Sequence, residues 1–166
     1  MFAIESPIEI RFYMSAKQKC KNDSDQIYWA YYADFEVQSE DIDSYQHVNN
    51  TVYHRWIDDC ARQHSTELGI DPEQASNFGL GMAVLESNVS FIAAALKEDS
   101  VRVLTKIIEN DKRLKIKRRF EIRNSTNDKL LVRAELVYAC INIKTGKAAR
   151  MPKEFLEAYR LSSRMS

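Results

Sequence analysis

A single apolar stripe at helical spacing constrains this chain more than any other feature. Tyr53, Trp56, Ile57, Cys60, Ala61, His64 and Leu68 fall on one helix face, and Arg55, Asp58, Asp59 and Arg62 on the other. Arg55–Asp59 and Asp58–Arg62 stand four apart, so each pair supports the helix weakly. Gly69 is a natural stop. Asp71-Pro72-Glu73-Gln74 starts a second, short helix, with the acid as cap and proline in the first position. The chain then changes period. Met82–Ala94, Ser100–Glu109, Lys112–Arg123 and Lys129–Ile143 read as strands, the last three joined by turn chemistry at Asn110-Asp111 and Ser125–Asp128, with another turn at Lys144–Lys147 after them. Tyr28–Val37 is aromatic and β-prone, and gives a strand before the helix. Pro152 opens a last short helix ending near Leu161. One helix of about five turns against five antiparallel strands buries one face of each, an α+β, two-layer solution.

Residues 1–26 read apart from this unit, which takes residues 27–166. Ile8, Ile10, Phe12 and Met14 alternate with polar residues, and a polar loop follows, so this piece is an extra edge strand or an arm. With 166 residues, 45% of them hydrophobic, the chain suits one domain with a sizeable core. Lys+Arg and Asp+Glu are both 24, a balance that argues against a dedicated nucleic-acid binder. No apolar run reaches the roughly 18–20 residues a membrane span needs. The start lacks a secretory pattern, and Cys20, Cys60 and Cys140 are odd in number and scattered. They read as reduced thiols in a cytoplasmic protein. His47, His54 and His64 lack metal-ligand spacing, so no metal is expected.

The chemistry-bearing residues crowd into EDIDSYQHVNNTVYHRW, Glu40–Trp56, directly before the long helix. Asp41, Asp43, His47, Val48, Asn49, Asn50 and Tyr53 form D-x-D-x-x-x-H-V-N-N-x-x-Y. Followed by a buried helix and four strands, this pattern resembles the hotdog-fold acyl thioesterases. YHRWIDDCAR, Tyr53–Arg62, is similar to the helix of 4-hydroxybenzoyl-CoA thioesterase. QHVNN, Gln46–Asn50, resembles a piece of the plant acyl-acyl-carrier-protein thioesterases. SNVSF, Ser87–Phe91, and TGKAARMP, Thr145–Pro152, resemble a later strand and the closing turn. The likeness spans roughly residues 29–155. It implies a hotdog fold, in which a five-stranded antiparallel sheet wraps the long central helix. It also implies hydrolysis of an acyl thioester, on coenzyme A or acyl carrier protein, without a cofactor. The second acid of D-x-D is catalytic in the resembling enzymes, which carries over to Asp43. In the plant enzymes a histidine at the place of His47 joins in, alongside an asparagine whose position is Tyr45 here. The family's members are at least dimers with sites between subunits, so a homodimer or a tetramer of dimers is expected.

Elementary chemistry gives the same stretch a meaning. A helix begins with unpaired N–H groups and partial positive charge. Such donors stabilise the oxyanion that forms when a thioester carbonyl is attacked. A carboxylate just upstream activates water or attacks the carbonyl itself. Asp43 with the amides around Val48, Asn49 and Asn50 supplies both halves. The bland alternative is that Asp41 and Asp43 are caps or solvated loop acids, and that Asn49 and Asn50 only cap and satisfy the loop. Tyr53 and Trp56 read as core with an edge on an acyl pocket, His64 as a core histidine, and Glu86 as exposed or salt-bridged. Lys112, Arg113, Lys115, Lys117, Arg118 and Arg119 form a basic cluster. It is either a solvated outer face or a phosphate site for coenzyme A or an acidic carrier protein. The resemblance points to Lys112, Arg113 and Lys115 for the latter. Arg118 breaks the apolar face of its strand, which predicts a bulge or an unusual direction for its side chain. Two other readings stay open: a hotdog protein that binds acyl thioesters without hydrolysing them, and a hotdog dehydratase or hydratase.

Overall fold

A computed structural model describes residues 29–161. The expected arm or extra strand over residues 1–26 lies outside the described residues. The five expected strands form one antiparallel sheet: β1 Tyr31–Glu36, β2 Leu80–Phe91, β3 Ser100–Asn110, β4 Lys115–Asn124 and β5 Leu130–Asn142. Their spatial order is β1-β3-β4-β5-β2, so the first two strands are the two edges. The chain must cross the whole sheet between them. That crossing contains the long helix, α1 Asn50–Glu67, which rests on β1 and β3. The short α2 Pro72–Asn77 lies against β2, and α3 Lys153–Ala158 follows β5.

The stripe is buried as its spacing requires. Val52, Tyr53, Trp56, Ile57, Cys60, Ala61 and His64 all face inward, and Leu68 is half-buried. The sheet answers with every second residue: Val101, Val103 and Ile107 from β3, Ile116, Phe120 and Ile122 from β4, Leu136, Tyr138 and Cys140 from β5. Asn49 caps α1, its Oδ1 accepting the Thr51 N–H at 2.9 Å. The helix stops at Gly69, whose φ of 85° suits the left-handed residue that ends a helix. Burial pushes the Cys60 thiol up to about 12, so it packs as a small hydrophobe.

Three local expectations change. The strand expected from Lys112 begins at Lys115. Asp111 Oδ1 gathers the N–H groups of Arg113, Leu114 and Lys115 at 2.7–2.9 Å, and Lys112 takes a φ of 58°. That carboxylate turns the segment into a hairpin loop. The ion pair Asp58–Arg62 forms at 2.7 Å. Arg55, however, leaves Asp59 and meets Asp41 at 2.6 Å, because Asp41 is buried and its charge gains more from a partner. Finally, Arg118 keeps the inward side of β4 with Ile116 and Phe120. The irregularity lies on the facing strand, between Ile107 and Glu109.

Candidate active site

The loop from β1 to α1 is closed by its own backbone. Ile42 and Val48 form an antiparallel bridge. Between them Asp43 N–H donates to the His47 carbonyl at 2.8 Å, and Gln46 N–H donates to the Asp43 carbonyl at 3.1 Å. Gln46 turns the chain with a φ of 62°. Asp43 Oδ1 accepts the Tyr45 N–H at 2.8 Å and a longer bond from the His47 N–H at 3.4 Å. The carboxylate is therefore held through one oxygen. Asp43 is half-buried, and its second oxygen has no hydrogen-bond partner among the described residues.

The neighbouring acid is different. Asp41 is 1% exposed, its Oδ1 paired with Arg55 and its Oδ2 accepting the Gln38 N–H at 2.9 Å. Its carbonyl accepts the Asn49 N–H at 2.8 Å. Asp41 thus joins the loop to the helix start, and both of its oxygens are occupied.

Hydrogen bonding divides the amides at the helix start. The Val48 N–H donates to the Ala95 carbonyl at 3.1 Å, and the Asn49 N–H is held by Asp41. The Thr51 N–H is capped by the Asn49 side chain. The Asn50 N–H, at the first helical position, has no acceptor among the described residues. Tyr53 is 2% exposed and its hydroxyl accepts the Ala95 N–H at 2.8 Å. Val48 and Tyr53 thereby pin the segment after β2 against the helix start.

That segment brings an apolar surface whose place beside the loop the sequence pattern does not give. Phe91 packs its ring against Tyr53 at 5.7 Å and against the exposed His54 at 6.2 Å. Phe91, Ile92 and Leu96 are 44%, 52% and 50% exposed, an apolar lip beside the loop. Only the sheet order places the end of β2 there. His47 and Glu86 are exposed.

The basic cluster divides three ways. Lys117 and Arg119 meet Glu135 at 2.9 and 2.7 Å on the outer face of the sheet. Arg118 points into the core. Lys112, Arg113 and Lys115 remain exposed on the β3–β4 hairpin. The loop of Asp43 lies by the start of β3, where Val37 N–H meets the Asp99 carbonyl. The hairpin is at the other end of β3, roughly 30 Å away at about 3.3 Å per residue. Within one chain these residues and Asp43 do not come together. Among the described residues no group of His, Cys, Asp and Glu converges to hold a metal ion, and no helix is long and apolar enough to cross a membrane.

Comparison with known proteins fits this geometry. No curated protein matches the sequence. Solved structures match in fold. A 1,4-dihydroxy-2-naphthoyl-CoA thioesterase from Synechocystis is 18% identical, with a TM-score of 0.70 over 78% of this chain and 94% of that one. A DHNA-CoA thioesterase from Staphylococcus aureus is 20% identical, with a TM-score of 0.72 over 78% and 87%. The protein SAV2348 from Staphylococcus aureus, solved in complex with CoA, is 17% identical, with a TM-score of 0.73 over 82% and 87%. The expected hotdog fold, helix and five-stranded sheet, is the fold observed. A family description, the thioesterase-like superfamily, matches residues 37–159. Since that match takes in the loop, the long helix and the entire sheet beyond β1, the chain belongs to the thioesterase-like superfamily.

Proposed function

We propose that the protein hydrolyses an acyl thioester of coenzyme A to a free carboxylic acid and a thiol. The observation that carries this reading is the pairing of Asp43, clamped through Oδ1 alone, with the unoccupied Asn50 N–H at the start of α1. In the reaction, the second oxygen of Asp43 takes a proton from water as it attacks, or itself attacks the carbonyl carbon. The carbonyl oxygen gains negative charge and meets the Asn50 N–H and the positive end of the helix. The C–S bond then breaks, and the thiolate leaves and is protonated; where Asp43 has attacked directly, water then opens the acyl–aspartyl anhydride, which releases the acid and restores the carboxylate. His47 orients the water or the leaving sulfur. Val48, Asn49 and Tyr53 act one step removed, since their bonds to Ala95 and Asp41 fix where the Asn50 N–H points.

Two further features support an assembled site. Among the described residues nothing pairs with the outer edge of β2, which is apolar, with Val84 and Leu85 47% and 51% exposed beside Phe91 and Ile92. A second copy pairing there would cover it and remove an unpaired sheet edge. Lys112, Arg113 and Lys115, distant from their own Asp43, then serve the phosphates of a substrate held at the partner's loop. An acyl carrier protein, being acidic, would use the same three residues.

The test is thiol release from a panel of aryl, short, medium and long acyl thioesters, on coenzyme A and on carrier protein. Release from at least one class is the expected result. Tight binding with no release would establish a binding protein instead, and hydration of an enoyl thioester would establish a hydratase. Asn50→Pro tests the oxyanion donor directly. Proline is well suited to the first helical position, and Asn49 already has the extended backbone that proline requires before it, with φ −60° and ψ 139°. The substitution removes the N–H together with the exposed carboxamide, and Asn50→Ala, which keeps the N–H, isolates the latter. It should lower kcat by about 10²-fold, the loss expected for one such donor, with a small change in KM. An unchanged kcat would move the donor elsewhere.

A further inference from the structure

Beneath the C-terminal half of α1 the core holds an arginine without a carboxylate. Arg118 is 2% exposed. Its NH1 group donates to His64 Nδ1 at 2.8 Å and its NH2 group to Ser65 Oγ at 2.9 Å. The rings of Tyr138 and Tyr159 flank it at 5.8 and 5.5 Å. No acid among the described residues pairs with it; every ion pair of the neighbourhood lies elsewhere, Asp58 being taken by Arg62 at 2.7 Å. A buried guanidinium cannot shed its charge, and it carries five N–H donors. Leaving such a charge without an anion is costly.

A second group nearby has the same need. The Tyr138 hydroxyl is buried and has no hydrogen-bond partner among the described residues. Arg118 and Tyr138 line one cavity of about 260 Å³. Its apolar wall includes Ile70, Leu80, Met82 and Ile143, while the Asp58–Arg62 pair and Asp71 also border it. Asp58 and Arg62 offset one another and Asp71 also lies on the wall, while Arg118, which donates to His64 and Ser65, has no carboxylate partner among the described residues. The cavity lies against α1 from Asp58 to Ser65, roughly 12–22 Å along the helix axis from Asn50 at 1.5 Å per residue. Within one chain it is therefore separate from the loop of Asp43.

We propose that this cavity is a second, non-catalytic site for a compact organic monocarboxylic acid, with Arg118 gripping both carboxylate oxygens and the Tyr138 hydroxyl donating to one of them. A planar guanidinium matches a carboxylate in this way. The volume lies just under the roughly 300 Å³ at which ordinary ligand pockets begin. The acid is thus a ring or a short chain, its apolar body against Ile70, Leu80 and Met82.

The experiment is calorimetric titration of the full chain with sodium benzoate and sodium octanoate, using benzamide and octanamide as uncharged controls. The expected result is that an acid binds and its amide does not. Tyr138→Phe should weaken acid binding about tenfold, as expected for one hydrogen bond to a charged group. Its melting temperature should hold or rise, because the hydroxyl it removes has no partner among the described residues. Arg118→Lys keeps a cation but loses the two-pronged grip, and should weaken binding at least as much. If Arg118→Lys fails to fold, Tyr138→Phe alone decides. Asp43→Asn should bind the acid as tightly as the unaltered chain, whether or not the hydrolytic reading holds, since binding here needs no turnover. The proposal is overturned if neither acid binds, in which case the cavity holds only water. It is equally overturned if binding persists undiminished in Tyr138→Phe, or if it is lost in Asp43→Asn.

Discussion

Asp43→Asn is expected to lower the rate of thiol release by about 10²–10⁴-fold, the range for loss of a positioned general base, while the melting temperature barely moves. The choice of asparagine matters. Oδ1 of Asp43 accepts the Tyr45 and His47 N–H groups, and an asparagine oxygen in its place still accepts both. What changes is the other oxygen, which becomes an NH₂ group that neither accepts a proton nor attacks a carbonyl. Alanine would remove the loop's acceptor as well, costing about 1 kcal/mol of local order and mixing two effects. Comparing the two variants separates them: a fall in kcat common to both is chemistry, and a further loss of stability in alanine alone is the loop. Unchanged turnover in Asp43→Asn would remove Asp43 from the reaction, and the bland reading of a loop-turning acid would stand.

Most of the architecture is legible in the sequence, because burial imposes a period. The stripe from Tyr53 to His64 can sit only on a helix packed along one side, and the alternation after Leu80 only on strands. What the sequence does not hold is which groups meet across long separations. Local spacing pairs Arg55 with Asp59, yet Asp41 takes it, because a fully buried charge gains more from a cation than a half-buried one does. Val48 and Asn49 look like oxyanion donors as readily as Asn50 does. Only the structure shows that their N–H groups are already taken, by Ala95 and Asp41, and Ala95 lies on the far side of the fold's crossing. Arg118 announces itself as a break in an apolar face. Its partners, His64 and Ser65, stand 54 and 53 residues away, so the irregularity is visible and its purpose is not. The basic cluster fails as a unit for the same reason: Glu135, on the next strand, neutralises Lys117 and Arg119.

Acidification from pH 6.5 to 5 is expected to cost the fold about 2 kcal/mol through His64 alone, at 1.36 kcal/mol per pH unit. Burial, and then the Arg118 guanidinium that donates to Nδ1, hold His64 down to about 3 against an ordinary value of 6.5. The ring also stacks on Tyr31 at 5.3 Å. It is therefore neutral in the fold, with its proton on Nε2, since Nδ1 faces a donor. Between pH 6.5 and about 3 the unfolded chain binds a proton at this residue and the folded chain does not. Stability from His64 is complete above pH 6.5, drains as the pH falls, and is exhausted near 3, as much as about 5 kcal/mol in all. That is a large part of the roughly 5–15 kcal/mol that holds a domain together. His64→Asn isolates the effect, because the asparagine oxygen can accept from Arg118 in place of Nδ1 but does not titrate. The variant loses the stacking on Tyr31 and should be less stable at pH 7. Its urea midpoint should nevertheless fall less steeply between pH 6.5 and 5 than that of the unaltered chain, where carboxylates contribute little to either. Parallel profiles would mean that water or an anion reaches His64 and shares its charge, and that the arginine above it is less dry than its burial implies.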